Sequence, residues 1–360
     1  RVIPEAVTGI TPERSSTAQI NKVKSKSSKK AKRRKVKAQP GKWVTLVTAY
    51  PAVKYIYGTI ATLIVFFLVF YPNIGMAINN ANRLSRPGTE WHESLVWMRE
   101  NTPDPFQDAD FYYELYEKPP GREAYNYPDS AYGVLAWWDY GHWITYIAHR
   151  IPNANPHQVG ATAVAIFFTS QDEASANLLI DELGSRYVII DLAMALHEIN
   201  PEKDEYGSFY AMLEWAGKEE TDFFEVYYRR GESGKYEPEI LYYPEYYRSM
   251  SSRLYIFDGK EWTPQKTVVI SWTEKELTDS KGNKLRSKVI SNEKIFANYE
   301  DANIFIKENP DYLIVGTNPL YSPIPLEQLE NYKLIHESTP PEAEPGYVSI
   351  SEVKIFEYVP

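Results

Sequence analysis

The sequence predicts a mixed α/β protein: one N-terminal transmembrane helix, then a central α/β domain carrying the motif WWDYG, then a mostly β C-terminal part. Three observations carry this prediction. No charged residue occurs between Tyr55 and Asn82. Helical and buried-strand patterns alternate from about residue 85 to 235. Beyond Tyr236 the texture becomes aromatic and β-branched. Four segments follow: 1–42, a basic cytoplasmic loop, partly disordered; 43–82, the membrane helix with its flanks; 85–235, the α/β domain; and 236–360, a mostly β peripheral domain.

The basic loop is read from charge. Residues 1–89 hold 16 Lys/Arg against Glu5 and Glu13, whereas residues 90–360 hold 23 Lys/Arg against 46 Asp/Glu. Eleven of the basic residues lie between Lys22 and Lys42, interleaved with Ser and Ala and without apolar periodicity. Such a run stays solvated or loosely bound to anionic surfaces. The centre of the next segment, Ile60 to Phe70, is apolar all round, and Trp43, Tyr50, Tyr55, Tyr57 and Tyr71 supply interfacial aromatics. Positive charge stays on the cytoplasmic side, so everything after about residue 80 is expected outside. This context excludes nucleic acid as the partner of the basic run. The chain has no cysteine, which excludes disulfides and thiolate zinc sites. It opens on Arg1 with no signal peptide, so a fragment of a longer protein is expected.

In the α/β part, Glu90–Arg99 has helical spacing and stops at Asn101-Thr102-Pro103. His142–Ala148 continues WWDYG as a helix, 160–183 reads as one or two helices, and 187–191 as a buried strand. In the β part, Tyr242-Tyr243, Tyr246-Tyr247 and 254–257 read as strand, with Asp258-Gly259 a hairpin-type turn. Residues 267–272 are a further strand, Asp279 to Asn283 a polar turn, 302–309 a helix, and 312–316 and 353–358 strands.

The candidate site is Trp137-Trp138-Asp139-Tyr140-Gly141. Two indoles beside one carboxylate, at a turn into a helix, offer an apolar wall with one strong acceptor. That suits a small group bearing one hydroxyl and one methyl. The plain alternative makes the indoles core and Asp139 a helix cap.

WWDYG resembles the signature of the catalytic subunit of oligosaccharyltransferase, particularly the archaeal single-subunit form, AglB. Supporting stretches are Trp97–Pro103, Tyr246–Met250 with Arg253-Leu254-Tyr255, and Val353–Glu357. The resemblance implies a glycosyltransferase of protein N-glycosylation, moving a lipid-linked oligosaccharide of the dolichyl phosphate type to Asn of Asn-X-Ser/Thr. It implies that Trp137, Trp138, Asp139, Tyr140 and Gly141 hold the +2 Ser/Thr, and that Asp191-Leu192-Ala193-Met194 supplies a Met against the Thr methyl. Whether Ile199 or Met212 completes that pocket stays open.

Catalysis needs a divalent cation, Mg²⁺ or Mn²⁺, to hold the pyrophosphate. The resemblance places that metal and the catalytic carboxylates in an N-terminal transmembrane region outside this sequence, so no catalytic or metal residue is assigned here. Asp108-Ala109-Asp110 is read as solvated. Thr11-Pro12-Glu13 faintly resembles a carboxylate-bearing outer loop of the family, but its place before the basic run argues against that role. His142 and His149, seven residues apart on a helix, are about 10 Å apart, too far to share an ion. The sequence contains no Asn-X-Ser/Thr of its own. A membrane-anchored extracytoplasmic module binding glycan or envelope without catalysis explains the helix and the acidic mass equally well. It does not explain WWDYG followed some fifty residues later by Asp-x-x-Met.

Overall fold

The structure is a computed structural model describing residues 51–83, 87–108, 110–113, 119–121, 125–196, 198–200, 205–232, 234–278, 283–340 and 350–360. The basic loop at 1–42 therefore lies outside the described residues. The chain divides into two units, Arg1–Leu84 and Ser85–Pro360.

The first unit is helical throughout its described length: α1 (Pro51–Val65), a π-helical stretch (Phe66–Phe70) and α2 (Tyr71–Arg83) run end to end. Within it, Ala52–Asn79 is long and apolar enough to cross a membrane, and none of that span is buried within the structure. At about 1.5 Å per residue it exceeds the roughly 30 Å of a hydrocarbon core. The π-helical turn has a local cause. Pro72 has no N–H to donate to residue 68, and the N–H of Tyr71 reaches back five residues to the Phe66 carbonyl.

The second unit is built on two five-stranded sheets. In the first the order is β11 (Tyr332–Glu337), β12 (Val353–Tyr358), β3 (Ser185–Asp191), β1 (Gly133–Leu135), β2 (Ile151–Pro152). β12 runs antiparallel to β3, whereas β3, β1 and β2 are mutually parallel. β3 is buried at six of its seven residues, as a strand covered on both faces must be. Helices α3 (Thr89–Asn101), α5 (Ala161–Thr169), α6 (Glu173–Glu182) and α8 (Ser208–Trp215) belong to the same unit. One core gathers Leu135, Val188 and Ile190 with Phe167, Phe168 and Phe209; another gathers Val134, Ile189 and Ile355 with Trp91, Leu95 and Met98. The alternating faces of β1 and β3 thus feed opposite layers.

The second sheet is ordered β10 (Leu313–Val315), β8 (Thr267–Thr278), β9 (Lys284–Phe296), β6 (Phe224–Arg230), β7 (Tyr236–Tyr242). A small ribbon joins β4 (Glu198–Asn200) to β5 (Glu205–Tyr206).

Several expectations are met. The 160–183 region is two helices, α6 being capped by Asp172, which accepts from Ser175 N. The expected strands at 187–191, 267–272, 312–316 and 353–358 are strands, and α11 (Tyr299–Glu308) covers the expected helix, capped by Asn298.

Three expectations are corrected. Tyr246, Tyr247 and Leu254-Tyr255 are helical, in α9 (Pro244–Arg248) and α10 (Met250–Tyr255). Pro244 at a first helical position and Ser249 as N-cap start these helices, and full burial of the tyrosines overrides their β propensity. Asp258 and Gly259, at φ +55° and +68°, follow that helix and turn no hairpin. The division at 235/236 also does not follow the pairing: β6 and β7 flank it within one sheet, and β11 and β12 return to the first sheet.

The closing strand makes a prediction. β12 lies between β11 and β3, so deleting 351–360 strips hydrogen-bonding partners from both and removes the buried Ile355 and Phe356 from the two cores. The truncated chain should lose cooperative thermal unfolding. A near-native melting transition by circular dichroism would show the strand to be dispensable.

Candidate functional site

WWDYG begins at the carboxyl end of β1, and Asp191 ends β3, its parallel neighbour. Parallel strands deliver the segments that follow them to one edge of the sheet, the edge where α/β folds place ligand sites. Register pairs Leu135 with Val188, so the turn at 137–141 and the turn at 191–194 meet although fifty residues separate them.

Asp191 is the hub. It is 2 % exposed. One carboxylate oxygen accepts from the backbone N–H of Met194 at 2.9 Å, which caps the one-turn helix α7 (Leu192–Ala195). The other accepts from the Trp91 indole N–H at 3.1 Å and from the Tyr140 hydroxyl. Trp91 and Tyr140 stack with ring centroids 4.0 Å apart, and Trp143 packs on both. Burial raises the Asp191 carboxyl above the usual carboxylate range, opposed by these donors and assisted by the charge of Asp139. Burial likewise lifts the Tyr140 phenol well above its ordinary value.

The five motif residues divide. Trp137 is 2 % exposed and sits in the main core with Val164, Phe168 and Met194. Trp138 is half-buried against the same core, and its indole N–H is buried with no hydrogen-bond partner. Asp139 is exposed. Its carboxyl is raised by partial desolvation, opposed by a side-chain hydrogen bond with Trp137. It caps no helix: neither the 3-10 turn Trp138–Tyr140 nor α4 (Gly141–Trp143) has a side-chain cap. The capping alternative for Asp139 is thereby removed. Gly141 is required by packing, since a Cβ there would lie 2.2 Å from the Ala154 carbonyl oxygen.

Met194 is fully buried, as is Met212 on α8, both in the core around Phe209. The expected direct contact of Met194 with a ligand is therefore corrected for this conformation. As third residue of a one-turn helix it points into the protein, and Asp191 spends both oxygens on internal donors. The Ile199 side chain lies outside the described residues. The sequence reading missed Trp91, whose signal was a tryptophan on the apolar side of a helix, because a buried indole needs an acceptor. It also missed Glu352, which the last strand brings in. The Glu352 backbone carbonyl accepts from Leu192 N at 3.1 Å, and its carboxyl is pushed up to about 7 by burial, then by Asp191 and Glu90.

Among the described residues no three His, Asp or Glu side chains converge as metal ligands. Asp108 accepts from the backbone of Asp110, forming a local turn. His142, which spacing compared only with His149, faces His157, ring centroids 5.6 Å apart.

A family profile described as the AglB core domain matches residues 88–195, the stretch that holds α3, WWDYG and Asp191–Met194. Dolichyl-phosphooligosaccharide-protein glycotransferase 3 of Archaeoglobus fulgidus is 31% identical over 223 residues, 55% of this chain and 24% of that protein. Dolichyl-monophosphooligosaccharide–protein glycotransferase AglB of Haloferax volcanii is 31% identical over 286 residues, 70% of this chain and 25% of that protein. The chain belongs to the archaeal AglB family of oligosaccharyltransferases. It spans about a quarter of the length of these AglB relatives. Among solved structures, the apo form of the Archaeoglobus fulgidus oligosaccharyltransferase superposes with a TM-score of 0.47 at 23% identity. That match covers 85% of this chain and 36% of the other. The AglB of that organism in complex with an inhibitory peptide and a dolichol-phosphate gives 0.43 at 27% identity, over 66% of this chain and 29% of the other.

Two measurements test this network. Tyr140→Phe leaves buried Asp191 with one donor fewer and should lower stability by about 1–3 kcal/mol, read as a lower melting temperature. Glu352 supplies the second. Its folded pKa of about 7 lies above the unfolded value of 4.5, so the folded state holds more protons between these pH values. Its contribution is full below about pH 4.5 and is lost as pH rises through about 7. Glu352→Gln should flatten the fall in melting temperature across that window; an unchanged slope would assign the fall to other groups.

Proposed function

We propose that this chain is the acceptor-recognising portion of an enzyme that transfers a lipid-linked oligosaccharide to Asn of Asn-X-Ser/Thr. In this reading Trp138 and Asp139 present the surface that meets the +2 Ser/Thr. The observation that carries the reading is the pairing of an exposed, uncapping carboxylate with a neighbouring indole N–H that has no partner. A hydroxyl both donates and accepts. Asp139 accepts a hydrogen bond from it, and the Trp138 N–H, buried and unpaired here, becomes a donor for its oxygen once the indole turns toward the ligand. An analogue without the hydroxyl leaves both groups unpaired, and that is how a site discriminates strongly.

The remaining motif residues position this pair. Trp137 anchors the turn in the core, Gly141 lets it pass close to Ala154, and Tyr140 ties it to Asp191, which also fixes α7 and Met194. Met194 backs the turn from inside. Relatives named as dolichyl-phospho- and dolichyl-monophosphooligosaccharide glycotransferases support the substrate class.

The donor chemistry belongs elsewhere. Among the described residues no group of three His, Asp or Glu side chains is placed to hold a divalent cation. We place the Mg²⁺ or Mn²⁺, the catalytic carboxylates and the grip on the dolichyl phosphate donor in the part of the AglB relatives that this chain does not span. In this reading the parent protein sits in the cell membrane with the basic loop cytoplasmic and the second unit extracytoplasmic; the apolar helix Ala52–Asn79 and the charge asymmetry on either side of it support that.

The test is transfer to an Asn-X-Thr peptide by the full-length parent enzyme. Asp139→Ala should reduce it at least about thirtyfold, corresponding to about 2 kcal/mol for a lost charged hydrogen bond. Since Asp139 is exposed and caps no helix, the fold should stay intact, with the melting temperature lowered only by the loss of its side-chain hydrogen bond with Trp137. Trp138→Phe should weaken the same step while keeping the packing. Trp137→Ala is a poor test, because removing a buried indole costs about 3–5 kcal/mol of stability by itself. Wild-type transfer by Asp139→Ala would end this reading.

A further inference from the structure

The acceptor reading leaves unused a cleft of about 570 Å³ at the edge of the second sheet. β10 is the edge strand and runs antiparallel to β8, Val315 opposite Val268. The segment entering β8 and the segment leaving β10 therefore emerge at the same end of the sheet. Between them lie Trp262, Gln265, Lys266, Thr317, Asn318 and Tyr321.

The wall of this cleft is held rigidly by bonds from three elements. The Trp262 indole N–H donates to the Ser322 carbonyl at 3.0 Å, the Thr267 hydroxyl to the Pro323 carbonyl at 2.8 Å, and the buried Tyr247 hydroxyl to the Asn318 carbonyl at 2.8 Å. A backbone bridge joins Trp262 to Leu326 in both directions, at 2.9 and 3.0 Å. Gly316 has no room for a side chain, since a Cβ would lie 1.9 Å from the Tyr247 hydroxyl oxygen. A loop fixed at so many carbonyls would be expected to tuck its aromatics inward. Instead Tyr321 stands 63 % exposed, its ring centroid 6.2 Å from that of the half-buried Trp262 and inclined at 55°. Around the two rings, Gln265, Lys266 and Thr317 are exposed and make no hydrogen bond or ion pair with other described residues.

A rigid pair of aromatic faces, edged by an amide, an ammonium and a hydroxyl with spare capacity, matches one ligand chemistry closely. A pyranose has an apolar face of C–H bonds and an equatorial rim of hydroxyls that both donate and accept. One lysine and no second cation make a poor phosphate site by comparison. We propose that this cleft is a saccharide-binding subsite that takes a chain of pyranose units. It is built from other residues and another sheet than the WWDYG turn, so it stands or falls apart from the acceptor reading.

The test uses the full chain in a detergent without a sugar headgroup. Maltotriose, cellotriose and mannotriose are offered separately and followed by saturation-transfer difference NMR. Saturation of pyranose ring protons is expected for at least one of them. Tyr321→Ala should weaken that binding about tenfold or more, as loss of a stacked aromatic does. Gln265→Ala should weaken it with no change in melting temperature, as both residues are exposed. Three results would overturn the proposal: no saturation with any of the three sugars on folded protein, binding unaltered in both variants, or saturation of a polyproline peptide by this cleft in place of the sugars.

Discussion

A carboxylate buried without a cation governs this unit. Asp191 is almost wholly enclosed, and removing such a group from water is tolerable only when hydrogen bonds replace hydration. Here a backbone amide, an indole and a phenol do so, and each comes from a different piece of chain. Trp91 brings α3, Tyr140 brings the WWDYG turn, and Met194 closes α7. One side chain thus determines how three segments meet at the carboxyl ends of two adjacent strands. Charge-assisted bonds of this kind are about twice as strong as neutral ones, so the junction is stiff as well as satisfied.

That stiffness gives the exposed part of the motif its character. A carboxylate on a mobile loop would have to become ordered each time it met a ligand, and the entropy of that ordering would oppose binding. Asp139 is carried on a turn whose neighbours on both sides are locked, Trp137 into the core and Tyr140 onto Asp191. The turn therefore shows solvent one acceptor, with one unpaired donor buried beside it, while its own backbone stays fixed. The acidic neighbours add a cost: burial, and then repulsion from Asp191 and Glu90, push the Glu352 carboxyl up to about 7, and Asp139 in turn raises Asp191.

The same division between anchoring and display recurs at the second sheet. Tyr246 and Tyr247 are wholly buried, their hydroxyls donating to the Ala195 and Asn318 carbonyls. They connect the helix after Pro244 to the α7 region on one side and to the loop beyond β10 on the other. Tyrosines that the sequence reads as strand thus act as struts, each with an apolar body in the core and one polar tip satisfied.

Much of the fold was legible in the residues. The uncharged stretch from Tyr55 to Asn82 fixed a long apolar helix, because composition and length suffice for that. The buried-strand run 187–191 and the alternation of 353–358 marked strands, whereas the capping of two helices by Asp172 and Asn298 emerged with the structure. WWDYG was legible as a site because five residues together are specific. Tertiary structure alone decided which motif residues face out. Trp137 and Trp138 are neighbours of identical chemistry, yet one is core and the other half-buried with its N–H left unpaired, a difference set by the direction in which β1 delivers the turn. It also decided that Asp191 and Met194 support the site from within, that Trp91 and Glu352 join it, and that 351–360 completes the first sheet. Periodicity reports which face of an element is apolar; it carries no information about which distant element covers that face, and these contacts join residues about 50 to 260 positions apart.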